Sequence, residues 1–194
     1  EPFRYRNKAQ FPIGRDRDGK LTAGFYAGRT HSIIPVPELD CALGVEENKQ
    51  ILQVILGYME EFNVEPYQEE SHTGLVRHVL LRKGFSTGEL MVCVVINGKK
   101  LPHGEVLVER LAKIPGMTSI TLNVNREKTN VIMGQEIILL YGKPFITDRI
   151  GEVKYQISPL SFYQVNPVQT QLLKNIDFLG NELAITGFMN NPDD

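Results

Sequence analysis

The chain has 194 residues, of which 42% are hydrophobic and 23% are charged, and its formal net charge at pH 7 is −2. This length and apolar content predict a fold around one sizeable core and exclude intrinsic disorder over most of the chain. No apolar run approaches the roughly 18 residues of a membrane-spanning helix, and no leader pattern is present, so we expect a cytoplasmic protein with no membrane partner.

Alternating apolar and polar residues in the first third of the chain predict a meander of three strands. The first two runs, Arg4–Ile13 and Lys20–Arg29, are separated by glycines and aspartates typical of a hairpin loop. The third run starts at His31 and ends at two prolines, Pro35 and Pro37, which cannot donate to a strand ladder.

The middle of the chain predicts a helix, two strands, a second helix and another strand. The first helix spans Glu46–Phe62, with apolar residues on one face and acids and amides on the other. Apolar strands at Leu75–Gly84 and Glu89–Gly98 are expected at the centre of a sheet. The second helix covers Gly104–Ile114, and the strand Ser119–Asn125 is expected to pack beside the earlier pair.

Short strands and a final helix are predicted after residue 134. The strands cover 135–141, 145–150 and 152–157, and Asn166 is a good N-cap for a helix that starts at Pro167. The resulting fold class is α+β, a largely antiparallel sheet with two or three helices packed on it.

Positive charge is concentrated at the start of the chain, where residues 1–31 hold seven basic and three acidic side chains. In a strand, Arg4, Arg6 and Lys8 would project from one face. With Arg29 and Arg77 on neighbouring strands, they predict a patch that binds the RNA backbone. The alternative is an ordinary solvated strand face.

Five segments occur in an order that carries a family resemblance. They are YRNKAQFPIG at Tyr5–Gly14, HSIIPVPELDC at His31–Cys41, GLVRHVLLRKG at Gly74–Gly84, FYQVN at Phe162–Asn166, and the helix that follows. Over roughly Phe3 to Lys174 the chain resembles the RNA uridine C5-methyltransferases. The resemblance implies methylation of a uracil in 23S ribosomal RNA by S-adenosylmethionine, with transfer RNA as the less expected substrate.

The same resemblance assigns roles to the FYQVN segment. Phe162 becomes the ring that stacks on the extracted uracil, and Gln164 and Asn166 become ligands of the base or the cofactor. An aromatic surface offsets part of the few kcal/mol that unstacking a base costs. Without the resemblance, Phe162 would be a core aromatic residue and Gln164 a capping side chain.

Neither cysteine is expected to act as a nucleophile. Cys93 lies in an apolar run, so we expect it to be a small buried hydrophobic residue. The resemblance implies that Cys41 is the fourth ligand of an iron–sulfur cluster in members that have one. Such clusters usually require four thiolates, so here Cys41 is an orphaned metal ligand or simply a free thiol.

The parts of a complete methyltransferase that the resemblance implies are not all found in the sequence. We expect residues 1–166 to be a central RNA-binding domain, and 167–194 to be a linker helix and an atypical tail where a cofactor domain would begin. The cofactor loop, catalytic Cys and Glu base are expected elsewhere, so no catalytic residue is assigned and this chain alone is expected to be inactive. An edge exposed by such a truncation predicts self-association. Two alternatives stay open: a non-catalytic RNA-binding or assembly module, and an α+β domain that binds a protein.

Overall fold

A computed structural model of the protein describes residues 2–28 and 32–177, with side chains to residue 173. Within these ranges the chain forms nine strands, three α-helices and a short 3-10 turn at Pro37–Leu39. The strands are β1 (Lys8–Arg15), β2 (Leu21–Tyr26), β3 (Ile33–Pro35), β4 (Val76–Lys83), β5 (Leu90–Ile96), β6 (Met117–Val124), β7 (Glu136–Gly142), β8 (Ile146–Ile150) and β9 (Val153–Ile157). The helices are α1 (Glu47–Glu61), α2 (Gly104–Ala112) and α3 (Pro167–Asp177).

Seven strands form one mixed sheet in the order β3-β2-β1-β4-β5-β6-β7. Every neighbouring pair is antiparallel except β5 and β6. These two are parallel because α2 carries the chain back across the sheet between them, and parallel neighbours require such a crossover. The predicted α+β architecture and its largely antiparallel sheet are confirmed, and the parallel pair makes the sheet mixed.

The main core lies between this sheet and the helices α1 and α2. Its buried members include Ile51, Leu52 and Ile55 of α1 and Leu107 and Leu111 of α2. Their spacing of three and four residues places them on one face of each helix, and each fully buried side chain contributes roughly 1.5–3 kcal/mol. The amphipathic pattern that predicted both helices therefore arises from this contact.

Strands β8 and β9 form a separate two-stranded sheet. Ile146, Ile150 and Ile157 of this hairpin pack with Met91 and Tyr163 in a second, smaller core. The hairpin also meets the turn between β4 and β5 at close range, since a Cβ added to Gly84 would lie 2.4 Å from the backbone oxygen of Thr147. Only glycine fits at this approach.

The predicted strand at Arg4–Ile13 begins later than expected. Strand β1 starts at Lys8, Arg4 has a left-handed φ of 57°, and Arg6 forms only an isolated bridge to Gly44. The prediction that Arg4, Arg6 and Lys8 project from one strand face is therefore wrong, because the alternation does not extend back to Arg4. Residues 29–31 and the tail from 178 lie outside the described residues. Among the described helices, none has the length and apolar character to cross a membrane.

Candidate functional site

An extended segment, Ser158–Asn166, joins β9 to α3, and we call it the strap. Tyr163 is its inward-facing anchor, and its hydroxyl donates to Asp148 Oδ2 at 3.1 Å. Burial raises the pKa of Tyr163, and the Asp148 charge adds to this rise, so the phenol remains a hydrogen-bond donor at neutral pH.

Asp148 is fully buried and ties three parts of the chain together. Besides Tyr163, it accepts hydrogen bonds from the backbone N–H groups of Phe85 at 3.1 Å and Ser86 at 2.8 Å, and from the Ser86 hydroxyl at 2.7 Å. The N–H of Arg149 adds another at 2.9 Å. A buried carboxylate with this many donors is stabilising only while the set is complete, so the turn, the hairpin and the strap are fixed together.

Two further residues hold the backbone of the strap. Arg82 of β4 is 4% exposed and donates Nη2 to the carbonyl oxygens of Pro159, at 3.4 Å, and Ser161. Burial lowers the pKa of Arg82 to about 10, which keeps it a cation at neutral pH. Asn7 donates its backbone N–H to Val165 O at 3.0 Å and its amide to Gln164 O at 2.8 Å.

The anchored strap turns two side chains outward. Phe162 is 84% exposed and Gln164 is also exposed, whereas Tyr163 between them is buried. Successive side chains of extended backbone point in opposite directions, so Phe162 and Gln164 share the outer side. The alternative in which Phe162 is a core aromatic residue is wrong, since its ring lies in solvent.

Asn166, rather than Gln164, caps α3. The Asn166 side-chain oxygen accepts a hydrogen bond from the N–H of Gln169 at 3.1 Å, and Pro167 occupies the first helical position. The predicted N-cap is confirmed, and the alternative of Gln164 as the capping side chain is wrong. The side chain of Asn166 therefore has a structural role as a helix cap, which the side chains of Phe162 and Gln164 do not have.

Two of the predicted basic residues lie beside the strap. Arg6 is exposed and Lys8 is half-buried, and both flank Asn7, which is bonded to the strap. Burial lowers the pKa of Lys8, with further lowering by the charges of Arg82 and Arg6. Among the described residues neither Arg6 nor Lys8 has an ion-pair partner, so both carry positive charge on either side of Asn7, the residue that is bonded to the strap.

The other predicted basic residues are placed differently. Arg4 pairs with Asp40 at 2.6 Å and also donates to backbone oxygens at Cys41 and Gly44, so its guanidinium clamps the chain. Arg77 is buried, which contradicts a direct contact of its side chain with an RNA backbone. Arg29 lies outside the described residues.

The cysteines differ in burial. Burial raises the pKa of the Cys93 thiol to about 11, so it is unsuited to be a nucleophile at neutral pH. Cys41 is partly buried against the main core. In the described ranges no group of three or more metal-binding side chains is present, and the ancestral metal role of Cys41 stays a prediction.

The sequence reasoning missed the residues that hold the strap: Asn7, Arg82 and Asp148. Arg82 carries a signal in retrospect, because a cation inside an apolar strand run is seldom buried without partners. Asp148 stands in a short alternating strand that marks it as an ordinary solvent-facing carboxylate. Its partners are distant in sequence, and the pattern around it does not reveal them.

The chain is similar in sequence to bacterial proteins that are named RNA methyltransferases. An RNA methyltransferase of Clostridium tetani, itself uncharacterized, is 43% identical over 96% of this chain and 41% of the relative. One from Halalkalibacterium halodurans is 47% identical over 97% of this chain and 42% of the relative. The chain thus spans about two fifths of the length of the curated relatives it matches.

A solved structure matches nearly the whole fold. The Pyrococcus abyssi tRNA (uracil-54, C5)-methyltransferase, in complex with S-adenosyl-L-homocysteine, superposes with a TM-score of 0.76 at 26% identity. The match covers 94% of this chain and 43% of that one. No protein-family model matches the chain. The homologues are named RNA methyltransferases, and the structural neighbour is one that acts on a tRNA uracil.

Proposed function

We propose that this chain is the RNA-binding part of an S-adenosylmethionine-dependent methyltransferase that modifies a uridine at C5. The named relatives support RNA methylation, and the structural neighbour supports a uracil target. 23S ribosomal RNA is our first candidate substrate, from the sequence resemblance, and transfer RNA is the second, from the neighbour's name. A cytoplasmic location is part of the same proposal.

The single observation that carries the proposal is the exposed ring of Phe162 on an anchored segment. A ring that is 84% exposed on an anchored segment presents both of its faces to a partner. Single-stranded RNA is read largely by stacking unpaired bases on such rings, while cations contact the phosphates. Phe162, Gln164, Arg6 and Lys8 together supply a stacking face, an amide and two positive charges.

The described residues are better suited to hold a target base than to enclose the whole S-adenosylmethionine molecule. S-adenosylmethionine, when bound, supplies the methyl group. Among the described side chains, Gln164 is the candidate that would reach toward it. We therefore assign to this chain the docking of RNA and the holding of the target uracil, with the transfer step performed outside the described residues.

RNA binding to two variants tests the proposal. The probe is a short RNA hairpin with an unpaired uridine in its loop, and binding is measured by fluorescence anisotropy in low salt. Phe162→Ala is expected to weaken binding about fivefold to 150-fold, since stacking contributes roughly 1–3 kcal/mol per base. Leu173→Ala is the matched control, because Leu173 is an exposed apolar residue of α3 outside the strap. Equal affinity of the Phe162→Ala variant and the unchanged protein would refute the proposal.

A second experiment separates an enzyme from a non-catalytic RNA-binding module. In the longer protein that contains this chain, Gln164→Ala is expected to reduce methyl transfer sharply while the fold is retained. A protein that binds the hairpin yet transfers no methyl group to it would favour the non-catalytic module. Comparing a ribosomal and a transfer RNA hairpin in the same assay distinguishes the two substrate classes.

Self-association is a further part of the proposal. Apolar side chains stand exposed on the strap and on α3, notably Leu160, Phe162, Val168 and Leu172. Exposed apolar patches of this kind favour contact with another surface. Sedimentation at increasing protein concentration is expected to show dimers or larger species, and a monomer at every concentration would contradict the expectation.

A further inference from the structure

A concave site, which we call the cleft, lies on the sheet and shares no lining residue with the strap. It is lined by Tyr26, Glu69, Arg77, His78 and the loop Thr129–Ile132, and its volume is about 210 Å³. That volume would hold roughly seven water molecules at ~30 Å³ each, so it has room for a planar ring but not for a drug-sized molecule.

His78 is the unexplained residue of the cleft. The side chain is 4% exposed, and within the described parts of the chain neither ring nitrogen has a hydrogen-bond partner. Burial, followed by the charge of Arg77, lowers the pKa of His78 to about 4, so the ring is neutral at pH 7 and offers one donor and one acceptor. Buried polar groups are almost always paired, because an unpaired one has lost its hydrogen bonds to water without replacing them. A ligand in the cleft that offers a donor or an acceptor would pair with one of these nitrogens.

The walls of the cleft are held in place before any ligand arrives. Arg77 Nη1 donates to the carbonyl oxygens of Asn125 at 3.0 Å and Glu127 at 2.8 Å, which fixes the start of the loop. The Asn125 amide donates to Val131 O at 2.7 Å and Ile132 O at 3.0 Å, which fixes its end. The guanidinium of Arg77 also lies over the ring of Tyr67, 4.2 Å from its centroid. Preorganised walls reduce the entropy lost when a ligand binds.

The charges around the cleft select a neutral ligand. The two terminal nitrogens of Arg77 are committed to carbonyl oxygens, with Nη2 directed to Thr129 O at 3.5 Å. Glu69 adds a carboxylate to the lining rather than a cation, so the described lining offers no uncommitted cation to a phosphate. The ring of Tyr26 lies edge-on to His78 with centroids 6.0 Å apart, so this part of the lining is aromatic, which suits a flat, uncharged ring.

The cleft lies on the same side of the sheet as the strap. His78 and Arg82 are four residues apart in a regular stretch of β4, so their side chains emerge from one face, roughly 13 Å apart along the strand. Arg82 is bonded to the strap that presents Phe162. One single-stranded RNA loop can therefore span both sites with a few nucleotides.

We propose that the cleft binds an unstacked nucleobase that lies a few nucleotides from the uridine at Phe162 in the same RNA loop, with the His78 ring paired to its edge. The proposal rests on the proposed function of the strap. It adds a second base-reading site to the chain, so that a uridine is accepted only when a suitable base stands at the right distance. The strap then supplies stacking, and the cleft supplies sequence selection.

The test uses a set of hairpin RNAs in which each loop nucleotide near the uridine is replaced, one at a time, by an abasic nucleotide. With the unchanged protein, one abasic position besides the uridine is expected to weaken binding about fivefold to 150-fold. With Val131→Phe, which places a ring in the cleft mouth, the intact RNA is expected to bind as weakly as that abasic RNA, and the abasic change should add no further loss. Val131 is 62% exposed, so this substitution leaves the fold intact. Val153→Phe, on exposed β9, is the matched control and should bind as the unchanged protein does.

A second variant addresses His78 itself. His78→Leu removes both ring nitrogens and is expected to lose the preference for the natural base at that position, with folding checked by circular dichroism. If binding depends on Phe162 but no abasic position couples to Val131 or His78, the cleft proposal is overturned and the strap function stands. If the hairpin does not bind even to the unchanged protein, both proposals fail.

Discussion

Burial of a neutral His78 makes the stability of this protein depend on pH in a calculable way. The pKa of His78 is about 4 in the folded chain, against 6.5 for an unperturbed histidine. Because the folded pKa is the lower one, the unfolded chain takes up the proton first as the pH falls. The free energy of unfolding is therefore undiminished above about pH 6.5 and declines as the pH drops toward 4.

The size of the loss follows from the two pKa values. Between pH 7 and pH 5 the difference in proton binding lowers the free energy of unfolding by about 2 kcal/mol, and by about 3 kcal/mol once the pH is below 4. Tyr26, Glu69 and Arg77 surround the ring, and of these the Arg77 charge contributes directly to the low pKa.

Urea unfolding followed by circular dichroism at the two pH values measures this loss. Other groups also titrate in the range, so the comparison is with His78→Gln, which removes the titrating ring and keeps a polar side chain. The unchanged protein is expected to lose about 2 kcal/mol more than the variant on going from pH 7 to pH 5. Parallel losses in the two proteins would refute the reasoning, because His78 would then be solvated or paired.

Two further predictions concern the strap and the charges beside it. Tyr163→Phe removes one donor from buried Asp148 and is expected to lower the free energy of unfolding by about 1–3 kcal/mol, measured by urea unfolding; unchanged stability would mean that Tyr163 does not anchor the strap. Replacing Arg6 and Lys8 by Ala is expected to reduce the salt dependence of hairpin binding by about 1.4 in log–log slope, at ~0.7 per cation, whereas Arg4→Ala should leave it unchanged. If the salt dependence of binding fell in the Arg4→Ala variant instead, Arg4 would contact the RNA and this prediction would be wrong.

The helices and most strands were predictable because their patterns reflect burial directly. Residues 51, 52 and 55 repeat at helical spacing since they meet the sheet, and the apolar run in β5 reflects its central position, with β4 and β6 on either side. Such periodic signals are local in sequence. The sequence did not predict that β7 joins the large sheet while β8 and β9 form a separate one. The composition of these strands does not indicate which strand each one pairs with.

The positions of charged residues were harder to predict. Arg82 and Arg77 find their carbonyl acceptors far along the chain, for example at Pro159 and Asn125, so the local sequence does not identify the partners that allow either side chain to be buried. Arg4 leaves the strand pattern by adopting a left-handed φ, a choice fixed by its contact with Asp40. A basic residue in an alternating run therefore predicts a charge but not the surface on which it lies.

The most direct test of the central claim is photo-crosslinking of an RNA hairpin whose loop uridine is replaced by 5-iodouridine. The probe carries its reactive atom at C5, and close stacking on an aromatic ring gives efficient crosslinks. After irradiation and digestion, mass spectrometry is expected to locate the attached nucleotide on Phe162, with the crosslink lost in Phe162→Ala and kept in Leu173→Ala. A crosslink confined to residues away from the strap would contradict the account.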